Sequence, residues 1–296
     1  MKIFVFADER KNVIARWDYI CLLIIPSDKF KSLFNDLIKA RQEAQYDYEL
    51  SFSKLNKKGT GSKLDLANCW TDIIIDDATK HMDRIYFKIF GIDKAKLDFS
   101  FFGYKNTPDG KYANIYNRFF RTALLGSLNY FFPDKPITVQ RIFHDTEGNL
   151  QNHDYFDWHC IKKISDLNKR ISFSCDRVIF VDSNHFKEKQ FPTASHIIQL
   201  TDLIIGSVTY CIHETNLSNK SQYEIARKML PLVNGILSNP YDKNSSLGYY
   251  RKYDICHFPK NRLKRLHEKR IPGECYRLNC ESFLDRVTGQ QYLDLK

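Results

Sequence analysis

Apolar residues run almost unbroken from residue 2 to residue 8 (KIFVFAD), as in a strand covered on both faces. A polar turn at Arg10–Asn12 follows. Residues 13–17 and 19–25 then read as two more strands, so the chain is expected to open as an antiparallel meander. Ser27 stands where it would cap a helix with apolar positions Phe30, Leu33, Phe34, Leu37 and Ile38. Residues 49–53 alternate polar Glu49, Ser51 and Ser53 with apolar Leu50 and Phe52, which predicts a short strand with one polar face. A helix is expected over 64–82, with Asp76 and Asp77 as surface charge, and a strand over 84–92. Residues 112–132 are apolar or aromatic on most helical faces, so that helix should be covered on more than one side. A strand over 137–143 ends in His144-Asp145; a helix over 155–169 leads to a strand over 177–181 ending in Asp182-Ser183.

The stretch SHIIQLTDLIIGSV, Ser195 to Val208, follows a Pro192-Thr193 pair suited to opening a helix. Helical spacing puts Ser195, Gln199 and Asp202 on one stripe of an otherwise apolar surface. A carboxylate there must be hydrogen-bonded, paired or bound to a cation, because burying it alone is costly. Both a packing role and a functional role remain open on that ground. A further amphipathic helix is expected over 222–237. From Asn239 the composition turns basic, turn-rich and cysteine-containing. The domains are therefore drawn as 1–238, an α/β unit, and 239–296, a basic C-terminal appendage.

Lys and Arg outnumber Asp and Glu by 45 to 35, a net +10, which suits a polyanionic partner but does not separate nucleic acid from a membrane surface. No uninterrupted run of about 18 apolar residues suggests a membrane span. The start, MKIFVFADER, lacks the longer apolar core of a signal peptide. Cys21, Cys160, Cys175 and Cys211 sit among apolar residues, as reduced core cysteines of a cytoplasmic protein do. Histidines form no helical pair and cysteines no C-x₂-C, so zinc has little support.

The acids carry more. Three strands are expected to end in Asp8, Asp145 and Asp182, and Glu49 and Asp202 add two candidates. Mg²⁺ and Mn²⁺ take hard oxygen ligands. Two such ions about 3.5–4 Å apart activate a water and stabilise the leaving oxygen of a phosphodiester. Any chain this long offers many acids, so their number alone decides nothing.

The series FVFADE, ELSFSK, a strand ending HDTEG, a strand ending VDS, and SHIIQLTDLIIGSV resembles the domain-of-unknown-function 3800 family over roughly residues 2–213. That resemblance implies a ribonuclease-H-like α/β fold: a mixed sheet of five or six strands flanked by helices. It also implies a metal-dependent nuclease acting on RNA or DNA. Asp8, Glu49, Asp145 and Asp202 would hold Mg²⁺ or Mn²⁺, Lys54 would orient phosphate oxygens, and Gln199 would lie nearby; Asp182 competes with Asp145. Arg10-Lys11 replace the family's Ser-Gly, and Thr201 replaces its usual Ala. The alternative is a non-catalytic nucleic-acid-binding or protein-binding module of the same fold, as in a bacterial defence or toxin system. Between residues 250 and 270, eight Lys or Arg face only Asp254 and Glu268, with Tyr249, Tyr250, Tyr253 and Phe258 beside them. This segment is expected to grip phosphates and stack on unpaired bases.

Overall fold

A computed structural model describes residues 1–97, 108–146, 148–153, 156–167, 169–213 and 218–258. Seven strands among them form one mixed sheet: β1 (Lys2–Val13), β2 (Trp17–Pro26), β3 (Tyr86–Asp93), β4 (Ile137–Asp145), β5 (Ile171–Phe173), β6 (Val178–Val181) and β7 (Tyr253–Phe258). Their order is β5-β4-β1-β2-β3-β7, with β6 also paired to β4. β2 runs antiparallel to β1 and β3; the other pairings are parallel. The class is α/β, with more strands than the five or six expected.

The central strands are apolar on both sides because helices cover both faces. One face carries α1 (Phe30–Glu43), α2 (Ser62–Thr79), α6 (Pro192–His213) and α7 (Lys220–Ser238), packed on Phe6, Leu23, Phe87 and Phe143. The other carries α3 (Pro108–Phe131) and α5 (Phe156–Leu167), packed on Val5, Ala7, Leu22 and Phe90. A single turn, α4 (Gly148–Gln151), precedes α5. By length and hydropathy α6 could cross a membrane, but 94% of its most apolar window is buried here between sheet and helices.

Several local expectations change. Residues 14–16 are a turn joining β1 to β2, with Asn12, Ile14 and Ala15 at positive φ, rather than the start of a strand. Ser27 is not the helix cap, since α1 starts after Lys29 without a side-chain cap. Asp77 is fully buried, not surface charge. Its carboxylate accepts from the Arg84 backbone N at 3.0 Å, Lys252 Nζ at 2.8 Å and Tyr253 hydroxyl at 3.2 Å. These bonds tie the end of α2 to the residues leading into β3 and to the start of β7.

The boundary at residue 239 does not hold as far as Phe258. β7 is a buried edge strand on β3, and Asp254 there pairs with Lys88 at 2.6 Å inside the core. Tyr249 packs against α7 at Gly235, where a Cβ would meet its ring at 2.6 Å. Tyr249, Tyr253 and Phe258 are buried and unavailable to bases, and Lys252 is committed to Asp77. Arg251 is exposed beside the Tyr250 ring, and the basic residues from Lys260 to Arg270 lie outside the described residues.

Candidate carboxylate site

Register brings the first two acids together. β1 and β4 run parallel with Phe6 opposite Phe143 and Ala7 opposite His144. One step further along the same face come Asp8 and Asp145, beyond the stacked Phe6 and Phe143 rings, 5.2 Å apart. Here β1 parts from β4 and continues on β2 alone, to Val13, so Asp8 is not a strand end as expected. Crevices beyond the carboxyl ends of parallel strands are where open α/β sheets place ligands.

The next two acids come from a loop and a helix that define one another. Residues 49–53 are not a strand. Their alternation is real, but the partner is α6: Leu50 N donates to Gln199 Oε1 at 2.9 Å, and Phe52 N donates to Asp202 Oδ2 at 2.8 Å. Alternate backbone N–H groups that would feed a sheet ladder thus feed two side chains one helical turn apart. Leu50 and Phe52 point into the core, and the Phe52 ring lies directly on Gly206, where an added Cβ would be 2.4 Å from it. Only glycine permits so close an approach. Gln199 also accepts from Arg41 Nη2 at 2.8 Å and donates to Ser183 O at 2.6 Å, so one buried amide joins two loops and α1 to α6.

Asp8, Glu9, Glu49, Ser51, Lys54, Asp145, Ser183, Gln199 and Asp202 line one cleft of about 290 Å³. Every acid expected at the site except Asp182 is there. Asp182 stays out of the lining: its carboxylate accepts from Asn184 N at 2.8 Å, and its carbonyl accepts from Ser195 Oγ at 2.7 Å. Lys54 Nζ donates to both oxygens of Glu49 at 3.2 and 3.1 Å, and Ser183 Oγ lies 3.3 Å from Glu49 Oε1.

Three neighbours escaped the sequence reading as site residues. Glu9 stands with its Oε2 3.4 Å from Nε2 of buried His144. His144 Nδ1 donates to Asp145 O at 2.7 Å, and its Nε2 lies 2.6 Å from the Tyr116 hydroxyl. Arg10 reaches across to α6, donating to Thr209 Oγ1 at 2.8 Å and Gly206 O at 3.1 Å, with its charge facing Asp202 and Asp8. Lys63, in the first turn of α2, donates to Lys54 O at 3.2 Å and feels Glu49 and Asp202. Glu9 and Arg10 stand in and beside the FVFADE motif, but their partners on β4 and α6 lie far along the chain and do not show in it.

The acids repel one another out of water. Burial, then Asp202, Asp145 and Glu9, push Asp8 well above the usual carboxylate range, against the pull of the Glu9 N–H. Burial also raises Asp202, opposed by the Phe52 N–H, the Ser51 hydroxyl and Arg10. Asp145 is pushed up to about 6, by burial first and then by Asp202, Asp182 and Glu49. A carboxyl group whose folded pKa is raised favours the folded state fully below its ordinary value near 4, and that advantage is lost as pH rises through about 6. In EDTA, Asp145→Asn should therefore melt increasingly above the native chain as pH goes from 4 to 7. The gain at pH 7 should be about 1–2 kcal/mol after screening at its half-buried position. Parallel melting curves across that range would assign Asp145 no share of the repulsion.

The donor set, all hard oxygens, fits Mg²⁺ or Mn²⁺. Among the described residues, however, no group of three or more His, Cys, Asp or Glu is set closely enough to hold a metal ion as it stands. Glu49 is held by Lys54 at 3.1 Å and is partly exposed. No protein-family model matches the chain, and no curated protein matches it.

Proposed function

We propose that this cleft hydrolyses phosphodiester bonds of RNA or DNA with Mg²⁺ or Mn²⁺, in a ribonuclease-H-like chain akin to the domain-of-unknown-function 3800 family. One observation carries the reading: Asp8, Glu49, Asp145 and Asp202, from four separate segments, line one cleft, where burial and neighbouring carboxylates raise Asp8, Asp145 and Asp202 above the usual carboxylate range. Such mutual repulsion is uneconomical for a fold and usual for a site that takes a cation. When bound, a divalent ion supplies Lewis acidity at the attacking water and the leaving oxygen. The four acids would hold it. Lys54 and Lys63, at the Glu49 side, bring positive charge to a phosphate's oxygens, and Arg10 offsets part of the acids' charge from the α6 side. Buried, unbridged Cys21 and Cys211 support a reducing compartment such as the cytoplasm.

The lack of a ready three-ligand set among the described residues favours a second reading, a nucleic-acid-binding or protein-binding module without turnover. End-labelled single-stranded, double-stranded and hybrid RNA and DNA, incubated with the full chain in Mg²⁺, Mn²⁺ or EDTA, separates the two. Hydrolysis predicts cleavage of at least one substrate that EDTA abolishes. Intact substrates in both metals would leave the binding module.

A further inference from the structure

The loops that meet at the Glu49–Ser183 contact each carry an exposed aromatic next to the cleft. Tyr48 precedes Glu49 and is 71% exposed; Phe186 follows Ser183 by three residues and is 65% exposed. Singly exposed apolar side chains need no explanation. These two touch each other, with ring centroids 6.4 Å apart and planes at 61°. Both are held from beneath. Arg41 Nη1 donates to Tyr48 O at 2.7 Å and also to Tyr46 O at 2.9 Å, and the Tyr46 ring packs 5.9 Å from Tyr48. His185 braces Phe186 at 4.4 Å and rests on His196 at 4.3 Å. The backbone is fixed by buried Arg41 and Gln199 while the rings face solvent, so π surface is presented on a rigid base.

Charge around the pair suits a polyanion. Lys187 and Lys189 are exposed on the Phe186 loop and Lys57 and Lys58 on the loop that follows Lys54, against exposed Asp47 and the Glu49 carboxylate that Lys54 bridges. Glu188 is occupied with the backbone N–H groups of Gln190 and Phe191 at 2.8 and 3.0 Å. Flat rings beside a basic track are how single strands are held without sequence preference, since every base has a π face. In a duplex those faces are hidden.

We propose that Tyr48 and Phe186 form a stacking platform for an unpaired base, so that the cleft takes single-stranded nucleic acid. This rests on the nucleic-acid reading of the cleft, but on its binding rather than its hydrolysis.

The test is fluorescence anisotropy of a labelled mixed-sequence strand of about 12 nucleotides, within the usual footprint of single-strand sites. The same strand annealed to its complement is the second probe. Both are titrated with the full chain in Ca²⁺, which shares the oxygen-ligand preference of Mg²⁺. Tyr48→Ala and Phe186→Ala should each weaken single-strand binding by about five- to 150-fold and leave duplex binding nearly unchanged. Tyr48→Phe and Phe186→Tyr should keep native affinity. Because both rings are exposed, all four variants should melt like the native chain. Alanine variants that bind the strand as tightly as native would overturn the platform and leave the rings to a protein contact. Equal losses on strand and duplex would overturn it too. A native chain that binds strands through these rings yet cuts nothing keeps the platform and loses hydrolysis. One that cuts equally well without the rings does the reverse.

Discussion

Asp8→Asn and Asp202→Asn should each lower metal-dependent cleavage by more than about a hundredfold, beyond what losing an outer-shell partner of a metal site costs. Both should fold at least as well as the native chain. Asp8 sits 7% exposed among Asp202, Asp145 and Glu9, and its ionisation is opposed by burial and by all three. An amide of the same shape removes that charge. At Asp202 the Asn oxygen can still accept from Phe52 N, so the loop carrying Glu49 should stay on α6. The expected pair of results, activity gone and melting temperature unchanged or raised, is the stability–activity trade of a strained site. Near-native activity in either variant would remove that residue from the mechanism. A lower melting temperature with full activity would make Asp202 a clasp for the Phe52 loop and nothing more.

The largest effect on stability should come from Asp77→Ala. Removing Asp77 leaves the Lys252 ammonium buried, and also leaves unsatisfied the Arg84 N–H that its carboxylate receives at 3.0 Å. Breaking a buried pair from one side costs about 3–5 kcal/mol, a large part of the 5–15 kcal/mol that holds a typical domain together. Asp72→Ala provides the contrast, because its bridge to Lys228 at 2.7 Å is on the surface and should be worth under about 1 kcal/mol. Urea unfolding of both variants reads the difference. Equal midpoints would mean that the ends of α2, β3 and β7 are held by apolar packing alone.

Much of this architecture is legible in local pattern. The doubly covered strands β1, β3 and β4 and the helices α2, α3, α6 and α7 announce themselves through continuous or periodic apolar positions. What is hidden depends on partners far along the chain. β7 reads as part of a basic tail because Asp254 and His257 interrupt its apolar run. Asp254 is tolerated inside with Lys88, 166 residues away, meeting it there. Asp77 looks like one of two adjacent surface acids until Lys252, 175 residues on, supplies its cation. In the site, Asp8, Glu49, Asp145 and Asp202 could be picked out, whereas the choice between Asp145 and Asp182 could not. Each follows an apolar run, and the difference lies in register: Asp145 neighbours Asp8 across β1 and β4, while Asp182 turns back to cap its own loop. The period-two pattern at 49–53 correctly separated inward from cleft-facing residues, yet named the wrong partner. An extended segment donates its N–H groups equally well to a strand or to two side chains on a helix.

The central claim is that the four acids together take a divalent cation, and calorimetric titration of Mn²⁺ into the full chain at pH 7.5 measures it directly. The account predicts saturable binding of one or two ions per native chain. Affinity should fall by about tenfold or more in Asp8→Asn and in Asp202→Asn, since each removes a ligand. Native heats no larger than dilution, or variants that bind Mn²⁺ as tightly as the native chain, would contradict it.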